Sequence, residues 1–270
     1  MIVALQYYEG DRERTLSLAR LLADIEPVPR NDILLALVCQ PNTPPSELTD
    51  LALKHCSLKF PVTHVVSTRG AHGHPEGCGQ LWAGTMNHFS DLFESKATPH
   101  NSIFTLDGGD GIPLHRNWIT MLKEEHAKTL ALEKLITGTP YNLGGCPLHV
   151  NPNAVFHLSI WKKTPSLHNI PKYDGTLLTN FDIYHRRTML NNASLSSIVR
   201  TDWRGAGNHI SLELMKTRAK QSVWLHGYKD NNLYEVARKH LLTSETIPLK
   251  LERYQLTNLY LMESCKRPFV

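Results

Sequence analysis

The fold is decided by residues 102–114, SIFTLDGGDGIPL. A short apolar run, typical of a buried strand, stops at two aspartates separated by two glycines, and Pro113 then turns the chain. Carboxylates at the carboxyl end of a strand face the ligand crevice of an open α/β sheet, and glycines let the backbone approach a ligand. Such oxygens suit Mg²⁺ or Mn²⁺ holding a diphosphate, although an Asx-rich turn uses the same residues.

The composition is that of an ordinary globular protein, with 270 residues of which 41% are hydrophobic, enough for a large core without disulfides. Its five cysteines are far apart and lack Cys-x-x-Cys spacing, which predicts neither a zinc cluster nor a disulfide framework and fits a reducing compartment. The sequence shows no leader and no long apolar run, so we expect a cytoplasmic protein without a membrane partner. A net charge of +4 permits a polyanionic partner without requiring one.

Apolar runs alternate with helical patterns before residue 102, which is typical of a doubly wound sheet with right-handed crossovers. The predicted strands cover residues 2–8, 33–38 and 62–66, and the predicted helices cover residues 12–25 and 46–55. Tyr7 or Tyr8, at the end of the first strand, is a candidate to stack on a nucleobase. Packing of one of them against the following helix is the alternative.

A glycine- and histidine-rich loop, residues 67–80, follows the third strand and precedes a predicted helix over residues 81–89. Backbone amides at such a helix start, with Gly77 in the loop and Arg69 nearby, would suit a phosphate or sugar hydroxyls. No Gly-Lys-Ser/Thr follows, so the loop is not a Walker P-loop. The first strand–helix unit also lacks Gly-x-Gly-x-x-Gly, which disfavours a nicotinamide enzyme.

The order of these elements, with Asn87 in the helix and Asp107 to Leu114 followed by Trp118, resembles the nucleotide-sugar-binding half of GT-A fold glycosyltransferases. The Asp-x-Asp element of that family is similar to Asp107 and Asp110, which here stand three positions apart. The resemblance implies that Asp110 binds a metal and that Asp107 contacts ribose or the metal. It implies Mn²⁺ or Mg²⁺ as cofactor and a nucleoside-diphosphate sugar as donor, with Tyr7, Arg69, Gly77 and Asn87 on the donor side.

The same resemblance extends into the second half of the chain. Residues 149–154, HVNPNA, are similar to a segment that touches the donor sugar, which makes His149 and Asn153 candidates beside a simple capped turn. Asp182 stands where inverting members place the general base, although it could instead cap a helix. Asp202 is the reserve candidate for that base.

A late short strand within residues 222–230, SVWLHGYKD, ends in a histidine. Several GT-A enzymes complete the metal shell with a histidine near the end of the catalytic domain, and the resemblance implies this role for His226. Lys229 is placed to approach a diphosphate.

We therefore predict an α/β, GT-A-like and Rossmann-related fold, a mostly parallel sheet flanked by helices with a C-terminal helical extension. The predicted catalytic domain covers residues 1–230, with a nucleotide-sugar-binding half (1–118) and an acceptor-side half (119–230), and residues 231–270 form the extension. The predicted activity is metal-dependent transfer of a sugar to a hydroxyl acceptor, with Asp182 catalytic. A nucleotidyltransferase and a non-catalytic sugar-nucleotide-binding protein remain the alternatives.

The acceptor is open between a protein, a glycan precursor and a hydroxymethylated base in DNA. Basic residues in the second half favour DNA, because cations that neutralise phosphates dominate binding to nucleic acid. These residues are Arg186, Arg187, Arg200, Arg204, Arg218 and Lys220.

Overall fold

The computed structural model describes residues 1–71, 73–142, 146–202, 209–230, 232–243 and 247–257. Its first part alternates strands and helices as the apolar runs predict. The strands are β1 (Ile2–Tyr7), β2 (Leu34–Cys39), β3 (Val62–Val66) and β4 (Ser102–Asp107), and the helices are α1 (Arg12–Ile25), α2 (Glu47–Cys56) and α3 (Glu76–Glu94).

The second part consists of shorter elements. In chain order they are β5 (Gly111–Pro113), α4 (Trp118–Ala131), β6 (Ile136–Gly138), β7 (Pro140–Tyr141), β8 (His149–Val150), β9 (Val155–His157), α5 (Ile160–Lys163), α6 (Phe181–Tyr184), α7 (Arg186–Asn191), β10 (Ala193–Ser196), β11 (Val199–Thr201), α8 (Leu212–Ala219), β12 (Trp224–His226), α9 (Leu233–Thr243) and β13 (Arg253–Tyr254). Turns of 3-10 helix cover Glu9–Asp11, Pro165–His168 and Leu177–Thr179.

In the described part of the chain the main sheet has eight strands in the order β13-β10-β6-β9-β4-β1-β2-β3. Strand β1 runs parallel to β2 and β4, β2 to β3, and β6 to β10. Strand β9 lies antiparallel between β4 and β6, and β13 is antiparallel to β10. The prediction of a mostly parallel α/β sheet flanked by helices is thus confirmed.

Helices cover both faces of the sheet, which is why every residue of β1 is buried. One face packs against the apolar stripe of α1, where Leu18 and Leu22 are fully buried. The other face packs against α3, where the Trp82 ring lies 5.6 Å from Phe156 and 5.1 Å from Phe181 between centroids. Because helices cover both faces of the sheet, we expect a ligand to bind at the edge where the parallel strands end.

Local signals set the starts of the first two helices in different ways. Ser46 caps α2, since its hydroxyl accepts a hydrogen bond from the amide of Leu48 at 3.3 Å. Asp11 precedes α1 but makes no cap hydrogen bond, and its carboxylate accepts from the guanidinium of Arg14 instead. Asp11 is thereby held facing the ends of β1 and β4.

The C-terminal segment is more than a helical extension. Helix α9 buries Leu233 and Leu241 in the core shared with α1, and β13 adds a strand to the edge of the main sheet. Arg253 also donates to the buried carboxylate of Glu125 at 3.0 Å. The predicted extension thus contains helix α9 and also a short strand, because residues 253–254 pair with β10. Residues 258–270 lie outside the described residues.

The length and hydropathy of a helix determine whether it can cross a membrane. Within the described residues, no helix combines the length and the apolar character that a membrane crossing demands.

Candidate active site

A cavity of about 450 Å³ opens where β1 and β4 end. The two strands are in parallel register, with Gln6 opposite Asp107, so the residues that follow them leave the sheet side by side. The polar groups that line the cavity include Asp107, Asp110, His149, Asp182, His226 and Lys229. The structure thus brings together six residues that the sequence indicated.

The turn between Asp107 and Asp110 is set by close packing against α1. Gly108 has a φ of +64°, which favours glycine, and its amide donates to the carbonyl of Gln6 at 2.9 Å. A Cβ on Gly109 would lie 2.4 Å from the backbone carbonyl carbon of Arg14. These glycines therefore let the turn fit against the protein's own helix.

Asp110 and His226 meet because β12 pairs with β5. His226 is opposite Gly111 in this antiparallel pair, and the carbonyl of Asp110 accepts from the amides of Gly227 and Tyr228 at 3.1 and 3.0 Å. Nε2 of His226 lies 3.1 Å from Oδ1 of Asp110. Asp110 and His226 are 116 positions apart in the sequence, 226 minus 110. Backbone pairing directly beneath the two side chains thus joins them.

The three groups strongly affect each other's ionisation. Burial and then the charge of Asp110 raise the pKa of Asp107 to about 6. Burial alone would raise the pKa of Asp110, but the charge and hydrogen bonding of His226 more than offset it and lower that pKa. Burial alone would lower the pKa of His226, and the carboxylates of Asp110 and Asp107 raise it instead. The two carboxylates therefore stabilise a positive charge on the imidazole of His226.

The donor set fits a divalent cation that arrives with a diphosphate. Two ligands at right angles, each about 2.1 Å from Mg²⁺, are about 3 Å apart, close to the 3.1 Å between Asp110 Oδ1 and His226 Nε2. That oxygen is buried, and the imidazole of His226 is its close polar neighbour. Within the described residues no group of three or more His, Cys, Asp or Glu could hold a metal ion alone. Mg²⁺ commonly binds through one or two carboxylates plus substrate phosphates, which this arrangement allows.

Helix α9 supports the aspartate turn from behind. The hydroxyl of the half-buried Tyr234 donates to the carbonyl of Gly109, and desolvation, followed by the charge of Asp110, raises the pKa of Tyr234. The C-terminal segment therefore contributes directly to the position of Asp110.

Replacing Tyr234 with phenylalanine tests this support. We expect the free energy of unfolding to fall by about 1 kcal/mol, the net worth of one buried hydrogen bond, and donor turnover to fall about fivefold as the turn loosens. Urea denaturation and nucleotide release measure the two effects. Tyr254→Phe is the matched control, because its hydroxyl donates to Glu252 at the exposed edge of the sheet. Equal turnover in the two variants would contradict the role of Tyr234.

His149 and Asn153 both line the cavity. Asn153 Oδ1 accepts from the amide of Asp107 at 2.9 Å, and its own Nδ2 donates to Asn151 at 2.9 Å. Asn153 thus fixes the end of β4. His149 lies 3.3 Å from Asp182, which follows the start of α6 and faces the cavity.

The two tyrosines predicted for base stacking have different environments. Tyr7 is the last residue of β1 and is buried, with its hydroxyl 3.1 Å from Nε2 of His64. Tyr8 is 44% exposed and lines the cavity. Tyr7 therefore does not line the cavity, because the burial of β1 includes its final side chain, whereas Tyr8 does.

Three further donor-side predictions fall on described residues that do not line the cavity. Arg69 donates to the carbonyl of His168 at 3.0 Å, and Asn87 accepts from the indole nitrogen of Trp161 at 3.0 Å. A Cβ on Gly77 would lie 2.7 Å from the carbonyl oxygen of Ala71. Arg69 and Asn87 thus have partners within the fold and Gly77 packs closely against Ala71, so the structure does not bring these three residues to the cavity.

Asp202, the reserve candidate for the general base, forms two salt bridges. Asp202 is buried and accepts from Arg200 at 2.9 Å and from Arg218 at 2.7 Å. Asp202 is thus engaged by two guanidinium groups and does not line the cavity. Two of the basic residues that favoured DNA, Arg200 and Arg218, therefore form salt bridges within the protein. A third, Arg204, lies outside the described residues.

Some cavity residues were not singled out from the sequence. They are Asp11, His74, Cys78, Tyr141 and Asn151. Burial, followed by the charge of Asp107, raises the pKa of the Cys78 thiol, so the thiol stays protonated beside the aspartates. Its place in the first turn of α3, beside the glycine-rich loop, is the signal that could have indicated it.

Comparisons with known proteins give structural neighbours only, since no family model matches the chain and neither does any curated protein. Mouse xyloside xylosyltransferase 1 in its apo form is 13% identical, with 84% of this chain and 96% of that chain covered and a TM-score of 0.47. The galactosyltransferase LgtC with donor and acceptor sugar analogs is 10% identical, with 94% and 87% covered and a TM-score of 0.46. S. aureus TarS 1–349 with UDP-GlcNAc is 13% identical, with 81% and 64% covered and a TM-score of 0.42.

Proposed function

We propose that the protein is a glycosyltransferase that moves a sugar from a nucleoside-diphosphate donor to a hydroxyl acceptor and uses Mn²⁺ or Mg²⁺. The observation that carries this proposal is the convergence of Asp110, His226 and Asp182 on one cavity at the ends of β1 and β4. These groups face the same space and could act in one displacement. The two cation ligands would stabilise the leaving group, and the carboxylate would activate the nucleophile.

In the proposed donor site, different residues bind different parts of the donor. Asp110 and His226 would hold the cation, which when bound neutralises the charge of a departing diphosphate. The Lys229 ammonium lines the same cavity and is placed to pair with a phosphate oxygen. Tyr8 offers an exposed ring at the end of β1 on which a nucleobase can stack.

Asp182 is the proposed base. Oδ1 of Asp182 accepts from the amide of Ile183 at 2.9 Å, which fixes the carboxylate, and the side chain is only 17% exposed. A hydroxyl placed beside it would lose its proton to the carboxylate as the oxygen bonds to the anomeric carbon. We define the acceptor only as a hydroxyl compound, because two of the basic residues that favoured DNA bind Asp202 instead.

A panel of nucleotide sugars tests the proposal. Incubation with each donor and Mn²⁺ should release a nucleoside diphosphate, faster with acceptor present, and chelation by EDTA should stop the release. Absence of release from every donor, with nucleotide binding also absent, would rule the proposal out. Analysis of the anomeric configuration of the product decides between inversion and retention.

The two alternatives give different products in the same assay. A nucleotidyltransferase would consume a nucleoside triphosphate with a sugar phosphate and release pyrophosphate. A non-catalytic binding protein would bind the nucleotide sugar without consuming it. Supplying both substrate pairs in parallel reactions separates these outcomes from sugar transfer.

A further inference from the structure

The contact between His149 and Asp182 determines where one proton lies. Nδ1 of His149 lies 2.8 Å from the carbonyl oxygen of Pro147. A carbonyl oxygen only accepts hydrogen bonds, so the network assigns a hydrogen to Nδ1. In the neutral ring Nε2 then carries a lone pair, and this nitrogen lies 3.3 Å from Oδ2 of Asp182.

That arrangement places two proton-accepting atoms opposite each other. With an ionised Asp182 and a neutral His149, two lone pairs face each other in a site where the histidine is 4% and the aspartate 17% exposed. One added proton converts the contact into an imidazolium–carboxylate ion pair, which the low local dielectric strengthens. Oδ1 of Asp182 is held by the Ile183 amide, so Oδ2 remains directed at the ring.

The surroundings place this pair in the cavity. The ring of Tyr141 packs edge-on against His149, with 5.3 Å between centroids, and both residues line the same space as Asp182. Strands β7 and β8 pair Tyr141 with His149, so the histidine is fixed by backbone hydrogen bonds while α6 presents the aspartate.

We propose that His149 and Asp182 form a proton-accepting pair, in which Asp182 takes the acceptor's proton and passes it to Nε2 of His149; this inference rests on the proposed function. The acceptor oxygen bonds to the anomeric carbon, and the bond from that carbon to the diphosphate oxygen breaks with its electron pair on the diphosphate. The hydroxyl proton ends on Nε2 and returns to water after product release. Asp182 touches the acceptor, and His149 is a positioning residue that acts through it.

The first test is spectroscopic and needs no turnover. In the full-length protein with ¹⁵N-labelled histidine, the ring signals lost in His149→Gln identify this residue. We expect Nδ1 to be protonated and Nε2 to be bare in the free protein, and a ring that already carries both hydrogens would overturn the proton-accepting role. A neutral ring with the hydrogen on Nε2 and a bare Nδ1 would overturn the pair.

The second test is a double-mutant cycle in the acceptor-dependent rate. We expect Asp182→Asn to lower kcat about 100-fold and His149→Gln about 10-fold, whereas His149→Gln should cost almost nothing in the Asp182→Asn background. A structural role for His149 would instead give the same factor in both backgrounds, and that result would overturn the proposal.

Two controls keep the failures distinguishable. Circular dichroism and the affinity for nucleoside diphosphate with Mn²⁺ should match wild type in both single variants, because neither residue contacts Asp110 or His226 in the structure. If His149→Gln fails to fold, the comparison of the Asp182→Asn ring spectrum with wild type still shows whether Nε2 faces the carboxylate. A wild-type protein that consumes no donor overturns the proposed function and the catalytic role, while the ring spectrum still decides whether the pair exists.

Discussion

Replacing Asp110 with asparagine is expected to lower donor turnover about a thousandfold, equivalent to about 4 kcal/mol of lost transition-state stabilisation. The amide keeps the shape of the side chain but loses the charge that the buried His226 faces at 3.1 Å. It also replaces an anionic oxygen that would hold the cation with a more weakly binding neutral amide oxygen. Affinity for Mn²⁺ in the presence of nucleoside diphosphate should fall together with the rate.

The fold should tolerate this change. The backbone carbonyl of Asp110, which accepts from Gly227 and Tyr228, is unaffected by the substitution. Asp174→Asn is the matched control, since this carboxylate is in an exposed loop and bonds only to nearby residues, Thr176 and Thr179 among them. Steady-state nucleotide release and isothermal titration with Mn²⁺ measure both effects. Full turnover in Asp110→Asn with Mn²⁺ present would contradict the role of Asp110.

The sequence predicted the parallel half of the fold because those strands are buried on both faces. Continuous apolar runs such as Leu34–Cys39 have few alternatives once Gly and Pro bound them. Strand β9 (Val155–His157) was not predicted, since three residues carry no measurable periodicity and their position between β4 and β6 depends on pairings distant in sequence. Strand β13, with two residues, was missed for the same reason.

The family resemblance implied that Asp110 and His226 act together, and they meet because β5, which starts one residue after Asp110, pairs with β12, which ends at His226. Side-chain direction was harder to predict. Tyr7 and Tyr8 are adjacent, yet one ends a buried strand and the other is exposed, and their order in the sequence does not show where β1 stops. Arg69 and Asn87 have suitable chemistry for a donor, but their partners, His168 and Trp161, come from a segment far along the chain.

Replacing Trp224 with alanine is expected to lower the free energy of unfolding by about 4 kcal/mol, the usual cost of removing a large buried aromatic side chain. Trp224 is fully buried, and its ring lies 5.3 Å from Phe104 and 5.2 Å from Trp118 between centroids. A Cβ on Gly111 would lie 2.5 Å from its indole nitrogen, so β5 and β12 interlock at this point. The cavity left by alanine would therefore lie directly beneath the strand that carries His226.

Trp224→Phe separates the loss of packing from the loss of the polar group. The indole Nε1 is buried, and no described residue accepts its hydrogen. Phenylalanine removes this unsatisfied donor, which offsets part of the lost contact, so we expect a cost of only about 1–2 kcal/mol. Urea denaturation with an unchanged m-value measures both variants. An equal cost for phenylalanine and alanine would mean that the indole nitrogen is satisfied in solution, and that aromatic packing contributes little to the support of His226.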